Sequence, residues 1–112
     1  METVRSADGT PIVFERMGSG PPVVVVNGAL ADRAATAPVA AVLGEWFTVV
    51  AFDRRGVGDS GDTPPYAAER EIEDLAAVIG AVGGSAHVFG HSSGGILALE
   101  ATASGEIGRV HV

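Results

Sequence analysis

Gly90-His91-Ser92-Ser93-Gly94 is the stretch on which the reading of this chain turns. The five residues fit G-x-S-x-G, in which a serine sits on a tight strand-to-helix turn with its hydroxyl exposed, so Ser92 is the candidate nucleophile. With 16 glycines in 112 residues the letters alone are a weak signal, and the flanks must decide. Ala86-His87-Val88-Phe89 is a short, mostly apolar run suited to a buried strand, in which His87 is expected to be satisfied in the core. Residues 96–103 are rich in helix formers and stop before Gly105. Gly90, Gly94 and Gly95 then have a mechanical purpose, because such a turn crowds backbone against backbone.

The same alternation of strand and helix extends toward the amino terminus. Residues 3–5 and 12–16 flank a turn at Asp8-Gly9 and predict an antiparallel hairpin. Val23-Val24-Val25-Val26 is continuous and β-branched, as in a strand buried on both faces, and Asn27-Gly28 ends it. Helix signals cover residues 34–43, and residues 47–52 form a further apolar strand that leads into the polar loop 53–62. Over residues 66–82, Ile72, Leu75, Ile79 and Val82 recur three or four apart. Glu69, Glu71, Glu73 and Asp74 on that helix read as a solvated face rather than as ligands. Residues 108–112 read as one more strand. The pattern predicts an α/β fold whose mainly parallel sheet, begun by a hairpin, is covered by helices on both faces. Ligands of such sheets bind at the carboxyl ends of the strands, where Asn27, Asp53 and Ser92 all fall.

Composition narrows the function classes. A 46% hydrophobic content suits one packed domain. Cysteine is absent, which excludes a disulfide framework, a cysteine nucleophile and thiolate zinc sites. The net charge is −7, the basic residues are all arginine, and no basic cluster exceeds Arg54-Arg55. Nucleic acid and anionic membrane are therefore not expected as partners, and a small neutral or apolar molecule is. No apolar run is long enough to span a bilayer, and residues 1–6 lack a signal-peptide pattern, so a cytoplasmic location is expected. Gly18-Ser19-Gly20 and the glycines at 80, 83 and 84 do not join a strand to a helix start as a dinucleotide loop must, and neither a cofactor nor a metal is expected.

Three motifs, in order and at compatible spacing, make the chain resemble the amino-terminal half of an α/β-hydrolase-fold enzyme. They are Val26-Asn27-Gly28-Ala29, the loop Asp53-Arg54-Arg55-Gly56-Val57-Gly58-Asp59-Ser60, and Gly90-His91-Ser92-Ser93-Gly94. The second is similar to the family's D-x-R-G-x-G-x-S loop, and the first to its H-G-x oxyanion segment with asparagine for histidine. The resemblance implies a three-layer α/β-hydrolase domain of which residues 1–112 are the amino-terminal portion, truncated at the sixth strand. It further implies acyl transfer, with Ser92 attacking a carbonyl and the oxyanion held by the backbone N–H groups of Ala29 and Ser93. Asn27 would modify the loop, and His91 would stand near the substrate.

The family order of a triad is serine, then acid, then histidine. Only Glu100, Glu106 and His111 follow Ser92 among such residues, and none fits, because the family's acid and base sit on loops after later strands. Asp53 reads as structural, within a charged loop that satisfies itself by internal ion pairs and turn hydrogen bonds. A sheet ending at an incomplete strand would expose an apolar edge, which predicts self-association, a carboxyl-terminal partner, or aggregation. Three functions stay open: a serine hydrolase of an ester or similar acyl substrate, a non-catalytic interaction or binding module on the same scaffold, and perhydrolase or C–C hydrolase chemistry.

Overall fold

Asp8-Gly9 makes the turn that starts the sheet: Gly9 has φ +87°, and the Asp8 carboxylate accepts the Thr10 N–H at 3.0 Å. The computed structural model describes residues 1–105 and 107. Its strands are β1 (Glu2–Arg5), β2 (Pro11–Gly18), β3 (Pro22–Val26), β4 (Thr48–Phe52) and β5 (His87–Gly90). They lie in the order β1-β2-β4-β3-β5. The hairpin β1–β2 is antiparallel and β2 joins β4 antiparallel, with Phe14 opposite Phe52. From β4 onward the sheet is parallel, Val24 lying beside Val50 on one flank and Val88 on the other.

Helices α1 (Ala37–Leu43), α2 (Ala68–Ala81) and α3 (Ser93–Ser104) cover the sheet. The segment expected to be one helix over 34–43 is divided: a 3₁₀ turn spans Arg33–Thr36, capped by the Asp32 carboxylate on the Ala34 N–H at 3.0 Å. Pro38 then lies in the first turn of α1, where a missing N–H costs nothing, whereas it would break a helix running through it. Helix α2 starts at Ala68 rather than at residue 66, because Ala67 is extended, with φ −152° and ψ 148°.

Side chains alternate across a strand, so each strand feeds both faces. Ile12, Phe14, Val24, Val26, Val50 and Phe52 meet Leu75 and Val78 of α2 and Leu97 and Ala98 of α3 in the main core. Val25 and Val49 face the other way and meet Ala40 and Leu43 of α1. The three layers and the mainly parallel sheet with its initial hairpin are those expected. The strand order also positions a site. The chain leaves β3 through α1 to reach β4 on one flank, then crosses through α2 to β5 on the other. Beyond β3 and β5 it turns to opposite faces, which opens a crevice at their carboxyl ends.

Two further expectations are corrected. His87 is exposed rather than buried in the core: β5 is an edge strand of the described sheet, and the His87 ring stands edge-on to Phe47 with centroids 6.0 Å apart. The acidic run on α2 is only partly a solvated face, since Glu71 and Asp74 are buried, 6% and 1% exposed. Each accepts from an arginine, so neither buried charge is left unpaired. The strand expected over 108–112 lies outside the described residues. Among the described residues no helix is long and apolar enough to cross a membrane.

Candidate active site

Ser92 joins β5 to α3 with φ 56° and ψ −124°, a conformation that costs a non-glycine residue about 1–3 kcal/mol and persists only where its surroundings impose it. Those surroundings are backbone. The His91 N–H donates to Val26 O at 3.0 Å, the Gly94 N–H to His91 O at 2.9 Å, and the Gly95 N–H to Ser92 O at 3.0 Å. A Cβ on Gly94 would stand 2.5 Å from Asn27 O, and one on Gly90 would stand 2.5 Å from the Gly95 Cα. Glycine is required at both places by close approach, as the crowding argument predicts. Ser92 itself is exposed, and its side chain makes no capping bond to the helix it precedes.

The crevice holds a cavity of about 520 Å³. Asn27, Gly28, Ala29, His91, Ser92 and Ser93 line it, so every residue singled out from the sequence as a site candidate is gathered there. Its remaining wall is mostly apolar, with Ala31, Ala35, Pro38, Val39 and Phe89 beside the polar Thr36. That wall was not anticipated, because it depends on how α1 settles against the sheet. Asn27 is 1% exposed and stitches its own loop, donating from Nδ2 to Asp32 O at 2.8 Å. Its Oδ1 has no hydrogen-bond partner among the described residues.

The loop after β4 braces this site from below. Asp53 is fully buried and accepts the Arg33 N–H at 2.7 Å, the Arg33 guanidinium at 2.5 Å and the Asp59 N–H at 2.9 Å, which confirms its structural reading. The Ser60 hydroxyl donates to Asp53 O at 2.6 Å, one of the expected turn bonds. The ion pairs of the loop, however, are not internal. Arg55 forks onto Asp74 of α2 at 2.7 and 2.6 Å and reaches Asp8 of the hairpin at 2.9 Å. Arg54 forks onto Glu71 of α2 at 2.7 and 2.9 Å, and its Nη1 donates to Asn27 O at 3.1 Å and Ser93 Oγ at 2.9 Å.

These pairs set the protonation states. Burial pushes Glu71 up, but hydrogen bonds from Arg54 and Tyr66 outweigh it and hold the carboxyl below its ordinary range. The hydrogen bond to Glu71 raises both Arg54 and Tyr66. Sequence reasoning missed Arg54 and Glu71 as neighbours of the site. The available signal was a pair of acids three apart, Glu71 and Asp74, bordering the apolar stripe of α2 and matching two consecutive arginines. Glu100 is exposed on α3, while Glu106 and His111 lie outside the described residues. Among the described residues no three His, Cys, Asp or Glu side chains are grouped to hold a metal ion.

Comparison with known proteins places this geometry. The alpha/beta hydrolase family model matches residues 23–112. An alpha/beta hydrolase from Sphaerobacter thermophilus superposes with a TM-score of 0.93 at 66% identity, over 97% of this chain and 43% of that one. An esterase from Exiguobacterium antarcticum superposes with a TM-score of 0.88 at 28% identity, over 96% of this chain and 41% of that one. An uncharacterized hydrolase of Bacillus subtilis is 33% identical over 96 residues, 82% of this chain and 35% of its own length. The chain thus spans about a third of that curated relative. The family match takes in β3, the loop after β4 and the Ser92 turn together, and the chain belongs to the alpha/beta hydrolase family.

Proposed function

We propose that this chain carries the nucleophile half of a serine hydrolase acting on an ester or a similar small acyl substrate. Ser92 Oγ attacks the carbonyl carbon, and its proton passes to a base. The π electrons of the carbonyl move onto oxygen, and the backbone N–H groups of Ala29 and Ser93 donate to the oxyanion so formed. The adduct then collapses: the carbonyl re-forms, the C–O bond to the alkoxide breaks and the base returns its proton to it. A water deprotonated by the same base then hydrolyses the acyl-Ser92 ester and frees the serine. In the family's arrangement the base is a histidine on a loop beyond a later strand than β5. Asn27 and His91 stand beside the reacting carbonyl, Asn27 as the residue that sets the loop and His91 as a contact to substrate.

The observation that carries this reading is the strained Ser92 at the mouth of a cavity whose wall includes both Ala29 and Ser93. Strain of that kind is kept where it serves a reaction, and a fold with no use for an exposed serine would relax it. The mostly apolar wall suits a short acyl or alkyl group, and the likeness to an esterase favours esters over other acyl derivatives. A fluorophosphonate probe tests the proposal: the purified protein should be labelled at Ser92, and Ser92→Ala should lose both labelling and ester turnover, the latter by at least about 10⁴-fold. Labelling that survives Ser92→Ala would refute the nucleophile. A folded protein that is never labelled would favour the non-catalytic module.

A further inference from the structure

We infer that Arg54 is a positioning residue for the oxyanion donors, fixing the loop after β3 and the start of α3 relative to each other; the inference rests on the acyl-transfer reading of Ser92. One nitrogen makes both ties. Arg54 Nη1 donates to Asn27 O at 3.1 Å, two residues before the Ala29 N–H, and to Ser93 Oγ at 2.9 Å, in the residue whose own N–H is the other donor. The two hydrogens of Nη1 are thereby committed to the two segments that must converge on one oxyanion.

The direction of Nη1 is set from the far side. Nε and Nη2 are forked onto the Glu71 carboxylate at 2.7 and 2.9 Å, and Tyr66 donates to the same carboxylate at 2.6 Å. A guanidinium is planar, so holding one edge aims the other. Lysine has no such plane and could not transmit the constraint. The Arg54 and Glu71 side chains are 11% and 7% exposed, so water competes little for these bonds. Across the same gap Gly94 lies against Val26 O and Asn27 O, which sets how closely the two segments approach. Arg54 adds orientation to that closeness. Oxyanion donors act only when aimed at the place where charge develops, so misdirection by a fraction of an ångström weakens the transition state and leaves substrate binding alone.

The test uses the full-length purified protein and a chromogenic short-chain ester. Arg54→Met alone strands Glu71 as an unpaired buried charge, so the decisive variant is Arg54→Met/Glu71→Leu, which removes the pair together. It should melt as cooperatively as wild type while kcat falls about 10- to 100-fold and KM stays within about twofold. Affinity for an alkyl boronic acid, which mimics the tetrahedral adduct, should fall in step with kcat. Ser93→Ala should cost several-fold in the wild-type background and nothing further in the double variant, since the tie it removes is already gone. Turnover by the double variant within about twofold of wild type, or a loss confined to KM, would overturn the role of Arg54. The underlying reading fails separately, by absence of fluorophosphonate labelling at Ser92 in the wild-type protein.

Discussion

Arg54 and Arg55 are consecutive, the first half-buried and the second buried, and both are forked onto a carboxylate of α2, yet they brace different parts of the molecule. Arg55 joins Asp74 to Asp8 and so ties α2 to the hairpin that begins the sheet. Arg54 joins Glu71 to Asn27 O and Ser93 Oγ and so ties α2 to the rim where Ser92 is exposed. Two successive side chains of the loop after β4 reach different partners, and that alone separates a support of the fold from a support of the site. A buried ion pair is by itself weak support for stability, so what distinguishes the two is the third partner each arginine holds.

The largest effect should come from breaking the structural pair. Arg55→Met leaves Asp74, 1% exposed, without its counter-charge, and should cost about 3–5 kcal/mol of stability in denaturant melts. The folded fraction should still be labelled at Ser92 at the wild-type rate, because no bond of Arg55 reaches either donor segment. Arg55→Met/Asp74→Leu should recover most of the loss. A labelling rate that falls with Arg55→Met would erase the contrast between the two arginines.

A smaller effect should follow from adding one methyl at the steric counterpart of Arg54. In Gly94→Ala the new Cβ meets Asn27 O at 2.5 Å as well as Val26 O, so α3 must withdraw from the end of β3. Overpacking of this kind costs about 1–3 kcal/mol, and the separated donors should lower kcat with KM little changed. Unaltered kcat in Gly94→Ala would mean that the spacing of the two segments does not govern the site.

Much of this was legible in the residues. Val23 to Val26 and the run before Phe52 are apolar on both sides because both faces of the sheet are covered, and that pattern survives without any knowledge of partners. The Ser92 turn was legible because its glycines are imposed by backbone contact rather than by distant packing. His87 was misread for the opposite reason: burial of its face depends on what lies beyond β5, which periodicity within the strand does not report. The acids of α2 were misread because charge ordinarily marks a solvated face, and only the landing of α2 over the loop after β4 turns Glu71 and Asp74 inward. Sequence separations of 17 and 19 residues between arginine and acid are set by strand order, which local signals do not encode.

The smallest expected effect distinguishes the outer end of the Arg55 network from its buried end. Hydrogen bonds from the Arg55 guanidinium and from Thr10 hold the Asp8 carboxyl well below the ordinary carboxylate range. A group whose folded pKa is depressed stabilises fully above its unfolded pKa of about 4, and that contribution is lost as the pH falls through the folded value. Wild-type stability should therefore decline below about pH 4 with a component that belongs to Asp8. Asp8→Asn should remove that component and flatten the acid limb of the stability curve, with a modest loss at neutral pH. Glu71 is depressed in the same sense, so its part of the acid limb should persist in Asp8→Asn and disappear in Arg54→Met/Glu71→Leu. If Asp8→Asn instead left the acid limb unchanged, the hairpin end of the network would hold no charge that matters, and Arg55 would act through Asp74 alone.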